Sequence, residues 1–198
     1  KGGTVLFEKT TVGGTQNLMM AATLADGTTI IENAAKEPEN VDLANYLNKM
    51  GAKITGQGTS VIKIVGVEKL TPARHSIIPD RIEAGTLLIA GAITGGDVTV
   101  ESCQPHDLEA LVSKMRESGF KIDVESNSLR VHPQTHFEAV DITTAPHPLF
   151  ATDLQAQFMA LMTVAHGTSV ITETVFENRF MHVNELMRLG ADITPKTQ

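Results

Sequence analysis

Two kinds of helical pattern alternate along the chain. Three segments are apolar nearly all round: NLMMAATLA from residue 17, TLLIAGAI from 86 and QFMALMTVA from 157. Each is followed by a β-rich run (TTII, DVTV, TSVI) and then by a charged amphipathic segment (LANYLNKM, LEALVSKMRES, NELMRL). Leu43, Leu47 and Met50, like Leu108, Leu111 and Met115, recur at helical spacing on one face, which predicts helices lying on a surface. The apolar segments are too short to span a bilayer, so other elements must enclose them. The β-branched, partly alternating runs TTIIEN, VIKIVGV, DVTVES and TSVITET are the strands available for that. The expected architecture is α/β with helices inside and sheets outside.

The same order of parts recurs three times. The glycines before the first strand of each unit are Gly27, Gly96 and Gly167, spaced by 69 and 71 residues. Those that close the second helix, Gly51, Gly119 and Gly190, follow 24, 23 and 23 residues later. The first set suits a chain reversal and the second the left-handed position just past a helix. Units one and two each add a further strand, SVIKIVGV or SLRVHP, whereas unit three reaches Lys196, Thr197 and Gln198 without one. At the other end, KGGTVLFE reads as the closing strand of an earlier unit. The expectation is a piece of a larger protein, or a chain completed by another, because strand pairing left open is a sticky edge. Prolines near Thr71–Pro79 interrupt the repeat and suggest a boundary, dividing the chain into residues 1–77 and 78–198.

Composition narrows the function classes. At 198 residues and 41% hydrophobic, the chain can bury a sizeable core, and with no Trp that core is aliphatic. A formal net charge of −7 argues against a nucleic-acid or anionic-membrane surface, so any bound anion must be held by a local cluster. The single cysteine, Cys103, rules out an internal disulfide framework and fits a reducing, cytoplasmic compartment. It reads as a packed or loop thiol, with only His106 nearby in sequence to activate it. The seven histidines show no zinc-site spacing.

The polar ends of the apolar helices are where chemistry is expected. Lys9-Thr10-Thr11-Val12-Gly13-Gly14-Thr15 leads into the first, and a helix start offers free N–H groups and a positive dipole end to a phosphate. The spacing is not that of a P-loop, and a plain strand-to-helix turn with a solvated Lys9 explains it as well. Thr152-Asp153-Leu154-Gln155 fits a capping box that opens the third apolar helix. Asp153 there compensates the dipole, or else accepts a proton from a substrate hydroxyl while orienting it. Arg179, in ENRFMH, can bind a carboxylate or phosphate through two parallel hydrogen bonds, or pair with Glu177 or another acid. Glu37 and Asp42 read as helix-start acids.

Together TVGGTQNLMMAATLADGTTIIENAAKEPENVDLANYLNKMGAKI, IPDRIEAGT, TDLQAQFMAL and ITETVFENRFMHV resemble the UDP-N-acetylglucosamine 1-carboxyvinyltransferases along the whole chain. The shikimate-pathway enolpyruvyl transferases share that family's repeated fold but not these strings. The resemblance implies an inside-out α/β barrel of two lobes built from βαβαββ units, incomplete here at both ends. Residues 1–77 would close the first lobe and 78–198 open the second. It implies transfer of the enolpyruvyl group of phosphoenolpyruvate to the 3-hydroxyl of UDP-N-acetylglucosamine, in peptidoglycan synthesis and without a cofactor. The partner is then the remainder of the polypeptide or a complementing chain.

Residue by residue, the resemblance implies that Lys9, Thr10, Thr11 and Val12 contact the nucleotide sugar and that Val175 does so through its main chain. It places Asp153 beside the acceptor hydroxyl, as the proposed base, and Arg179 near the phosphoenolpyruvate pocket. The family's Lys-Asn pair and reactive-cysteine loop precede the matched region, so Cys103 does not correspond to that cysteine. Ala151 and Gly14 stand where proline and alanine are frequent, changes expected to loosen a turn. The alternative is a non-catalytic sugar-nucleotide-binding protein of the same fold.

Overall fold

The computed structural model describes residues 1–196, which fall into two compact units, Lys1–Ile78 and a second beginning at Pro79. The first is a complete βαβαββ unit: β1 (Thr4–Leu6), α1 (Val12–Thr23), β2 (Thr28–Glu32), α2 (Pro38–Lys49), β3 (Lys53–Thr55) and β4 (Val61–Val65). Its sheet has the order β1-β2-β4-β3, with β1 parallel to β2 and the other neighbours antiparallel. The amino-terminal strand therefore opens this unit, and the expectation that it closes an earlier one is corrected. Thr4, Val5 and Leu6 lie opposite Ile30, Ile31 and Glu32. Parallel neighbours need a long crossover, which α1 supplies. Alternation along β4 turns Ile62 and Ile64 inward, where they meet Ile31, Ile54, Met19, Ala22, Ala44 and Leu47.

The second unit holds two further repeats. One runs α3 (Arg81–Ile93), β5 (Val98–Glu101), α4 (Glu109–Glu117), β6 (Ile122–Val124) and β7 (Ser128–Val131). The other runs β8 (Ile142–Thr143), α5 (Gln155–Met162), β9 (Ile171–Thr172) and α6 (Val183–Arg188). The antiparallel sheet is ordered β5-β7-β6, and β8 pairs β9 in parallel. Leu88, Leu111, Met115, Leu129, Val131, Phe158 and Leu161 form the buried centre of one core cluster. Phe158 meets Phe150 edge-on at 5.3 Å, a favourable arrangement for two rings.

Several expectations change in detail. Of the six repeated glycines, Gly27, Gly51, Gly119, Gly167 and Gly190 take φ between 97° and 106°; in the second repeat the left-handed turn residue is Gly95, not Gly96. Of the three, α5 comes nearest to the expected enclosure, with Phe158, Met159, Leu161 and Met162 buried and Ala156, Gln157 and Ala160 half-buried. Met20 of α1, Leu24 just past its end and Leu87 of α3 are each about half exposed. Among the described residues no sheet closes on itself. Thr152–Leu154 is a 3-10 turn and α5 starts only at Gln155, so the expected capping box is absent. The Thr152 hydroxyl is engaged elsewhere, as described below. Asp42 is not a helix-start acid: it lies inside α2 and takes a 2.8 Å contact from His75 Nε2.

Candidate functional site

The second unit gathers its polar groups at the leading end of α5. Asp153 sits in the 3-10 turn before that helix, and Arg179 in the turns between β9 and α6. Asn178 beside it adopts φ 57°, a left-handed conformation that asparagine tolerates better than most residues. Arg179 Nη2 donates to Asp153 Oδ1 at 2.5 Å, and its guanidinium lies 4.8 Å from the centre of the Phe176 ring. Both side chains keep solvent access. Arg179 therefore pairs with Asp153, 26 residues away, and not with its neighbour Glu177.

Glu173 fixes this geometry, and the sequence reading missed it. Its Oε2 accepts from Thr152 Oγ1 at 2.7 Å, while Oε1 accepts from the N–H groups of Val175 (2.8 Å) and Phe176 (3.1 Å). One carboxylate thus ties the turn carrying Asp153 to the loop carrying Arg179. Burial works against its charge, but these hydrogen bonds prevail and hold the carboxyl below its ordinary value. The Val175 N–H, in a position where the resemblance implies a ligand contact, is thereby used within the protein. His182 is also held below its ordinary value, because burial and then the Arg179 charge favour its neutral form.

The first unit repeats the device. Thr11 caps α1, accepting from Gly14 N–H at 3.2 Å, and its carbonyl accepts from Thr15 Oγ1 at 2.7 Å. Thr10 Oγ1 donates to Asn33 Oδ1 at 2.9 Å, and Asn33 Nδ2 reaches the Phe7 carbonyl. Asn33 and Glu173 each lie six positions past their turn glycine, and each receives the hydroxyl of a threonine just before the apolar helix. That shared spacing was the available signal for Glu173. Lys9 is exposed, and Val12 begins the helix. Gly14 lies inside the first helical turn, so an alanine there would not tighten a loose loop. Its Cβ would meet Thr11 Cγ2 at 2.4 Å.

Other candidates carry no chemistry. Cys103 is buried, burial raises its thiol, and His106 faces Asp107 at 3.3 Å. Among the described residues no cluster of three metal-binding side chains occurs, and no helix is long and apolar enough to cross a membrane. What remains is a solvent-reachable carboxylate held by a guanidinium at the tip of a buried helix. An incoming anion can compete for that guanidinium, leaving the carboxylate to accept a hydroxyl proton.

This arrangement of repeats is shared with solved enolpyruvyl transferases. The chain superimposes on the enolpyruvyl transferase NikO from Streptomyces tendae with a TM-score of 0.81, at 26% identity over 90% of this chain and 43% of that one. The EPSP synthase from Acinetobacter baumannii matches with a TM-score of 0.72 at 19% identity, over 99% of this chain and 47% of that one, a likeness of fold. The chain belongs to the EPSP synthase (3-phosphoshikimate 1-carboxyvinyltransferase) family, whose model matches residues 1–198. It is 78% identical over its whole length to the UDP-N-acetylglucosamine 1-carboxyvinyltransferase of Bdellovibrio bacteriovorus, covering 48% of that protein. It is 60% identical over 98% of its length to the protein of that name from Myxococcus xanthus, covering 46% of it. The chain thus spans about half the length of the curated relatives it matches.

Proposed function

We propose that these residues are the central half of a UDP-N-acetylglucosamine 1-carboxyvinyltransferase, with residues 1–77 ending one lobe and 78–198 beginning the next. The observation that carries this reading is 78% identity, over all 198 residues, to a relative bearing that name. The substrates are phosphoenolpyruvate and UDP-N-acetylglucosamine, and the product feeds peptidoglycan synthesis in the cytoplasm. No cofactor is required. The sugar 3-hydroxyl adds to C2 of phosphoenolpyruvate while C3 gains a proton, and phosphate then leaves the tetrahedral intermediate.

On this reading Asp153 receives the hydroxyl proton. Arg179 holds Oδ1, which leaves Oδ2 as the oxygen that accepts the proton. The anionic phosphoenolpyruvate competes with Asp153 for the Arg179 guanidinium, which brings the second substrate beside the acceptor hydroxyl. Arg179 then stabilises charge on that substrate, a role of position and electrostatics. Lys9, Thr10, Thr11 and Val12 at the α1 tip hold the nucleotide sugar, helped by the positive end of that helix. Missing groups come from the rest of the polypeptide, so the 198-residue chain alone is inactive.

The test is phosphate release by the complete polypeptide with each acceptor in turn. Saturable release with UDP-N-acetylglucosamine supports the reading. Release with shikimate 3-phosphate instead would favour the activity for which the matching family is named.

A further inference from the structure

One buried side chain in the third repeat has nothing to bond. Gln155, the first residue of α5, is 1% exposed, and among the described residues neither its Oε1 nor its Nε2 has a hydrogen-bond partner. A buried carboxamide left unpaired is destabilising, and folded proteins retain few of them. The proposed mechanism uses Asp153, two positions earlier, but not Gln155.

The other repeats show what this position does when it is satisfied. Counted back from Gly27, Gly96 and Gly167, the equivalents are Thr15, Ala84 and Gln155, each twelve positions before. All three are buried, and Ala84 has no polar side-chain group to satisfy. Thr15 Oγ1 donates to the Thr11 carbonyl at 2.7 Å and accepts from the Ala35 N–H at 3.0 Å. That second bond ties the start of α1 to the loop after β2. Ala35 lies eight positions past Gly27, and the residue eight past Gly167 is Val175. Gln155 and Val175 therefore stand where Thr15 and Ala35 stand, with the same separation of 20 residues.

In the third repeat the Val175 N–H goes instead to Glu173 Oε1, at 2.8 Å. Glu173 can spare it. The same carboxylate accepts from the Phe176 N–H and the Thr152 hydroxyl, and Thr144 adds a further hydrogen bond. One N–H thus has two acceptors to choose from, one of them oversupplied and the other unused. The loop that carries it also carries Arg179, whose guanidinium joins Asp153 in the turn before α5.

We propose that Gln155 is a positioning residue for the loop from Glu173 to Arg179: when phosphoenolpyruvate takes the Arg179 guanidinium from Asp153, the Val175 N–H passes from Glu173 to Gln155 Oε1. The loop then docks on the start of α5 through the bond that Thr15 makes to Ala35 in the first repeat. The exchange leaves Val175 bonded and gives the buried carboxamide a partner, so it favours the substrate-bound arrangement. This rests on the reading of the chain as part of an enolpyruvyl transferase in which Arg179 meets phosphoenolpyruvate, whichever acceptor is used.

The test is Gln155→Met in the complete polypeptide. Methionine keeps the length of the side chain and removes both polar ends. The KM for phosphoenolpyruvate should rise by about tenfold, because the bound state loses a hydrogen bond that the free state never had. The urea midpoint of the substrate-free protein should be unchanged or higher. A phosphoenolpyruvate KM within about twofold of the parent overturns the inference, since the amide is then idle. A lower urea midpoint also overturns it, whatever the KM does, because the carboxamide is then already satisfied in the free protein. Phosphate release by the parent separates the two claims. Release with UDP-N-acetylglucosamine beside an unchanged variant sinks the Gln155 role alone. Release with shikimate 3-phosphate alone sinks the assigned acceptor, and the KM comparison made with that acceptor still decides the role of Gln155.

Discussion

Asp153 and Arg179 carry the proposed chemistry through one contact, and each can be tested separately. Asp153→Asn keeps the shape and removes the proton acceptor, so turnover of the complete polypeptide should fall by roughly 10²–10⁴. Turnover within a few-fold of the parent would remove Asp153 from the base role. Arg179→Lys keeps the charge but loses the planar fork, and should raise the KM for phosphoenolpyruvate more than that for the sugar nucleotide. Equal changes in both would contradict a role for Arg179 in holding phosphoenolpyruvate. Glu173 and His182 predict an acid sensitivity. The His182 ring is held below 6.5 in the fold, so the unfolded chain protonates first and stability declines once pH drops past 6.5. The Glu173 carboxyl lies below 4.5, so its contribution is present above pH 4.5 and is lost as pH falls through the folded value. Thermal unfolding from pH 8 to 3 should show both declines, with His182→Gln weakening the upper one and Glu173→Gln the lower. The sequence marked Asp153 and Arg179 by their place at element ends. It did not show that they meet, because a partner 26 residues away is settled by how α5 and the loop after β9 pack.

Elements were legible where a pattern repeats and obscure where packing decides. The amphipathic spacing located α2 and α4, and the glycine periods located the turns. The pair β8–β9 was harder, since two-residue strands leave no alternation to count. The parallel placement of β1 was hidden for a different reason: KGGTVLFE reads the same whether it closes one unit or opens the next, and only the crossover through α1 distinguishes them. Exposure of α1 and α3 escaped the hydrophobic pattern too, because apolar residues on all sides state a need for cover without stating what provides it. One close approach gives a test at this scale. A Cβ on Gly91 of α3 would come within 2.8 Å of Val98 Cβ on β5. Gly91→Ala should therefore destabilise the protein by about 1–3 kcal/mol in urea unfolding, as overpacking does. Gly13→Ala meets nothing within 4 Å and should be neutral or stabilising by up to about 1 kcal/mol. A neutral Gly91→Ala would mean that α3 is not seated on β5 as described.

For the whole molecule, the strong identity to UDP-N-acetylglucosamine 1-carboxyvinyltransferases favours one acceptor for the proposed reaction, while the family description names another. The repeats explain how one fold serves both. The apolar helices and their sheets set the framework, and the helix tips and loops, built here from Thr10–Asn33 and Thr152–Glu173, carry the groups proposed to meet a ligand. The most direct measurement is phosphate release from phosphoenolpyruvate by the complete polypeptide, with UDP-N-acetylglucosamine and shikimate 3-phosphate supplied separately. The structure and its relatives predict saturable release with the sugar nucleotide, no release with the shikimate, and none from the 198-residue chain with either. Turnover by the short chain, or by the complete polypeptide with shikimate 3-phosphate alone, would contradict that account.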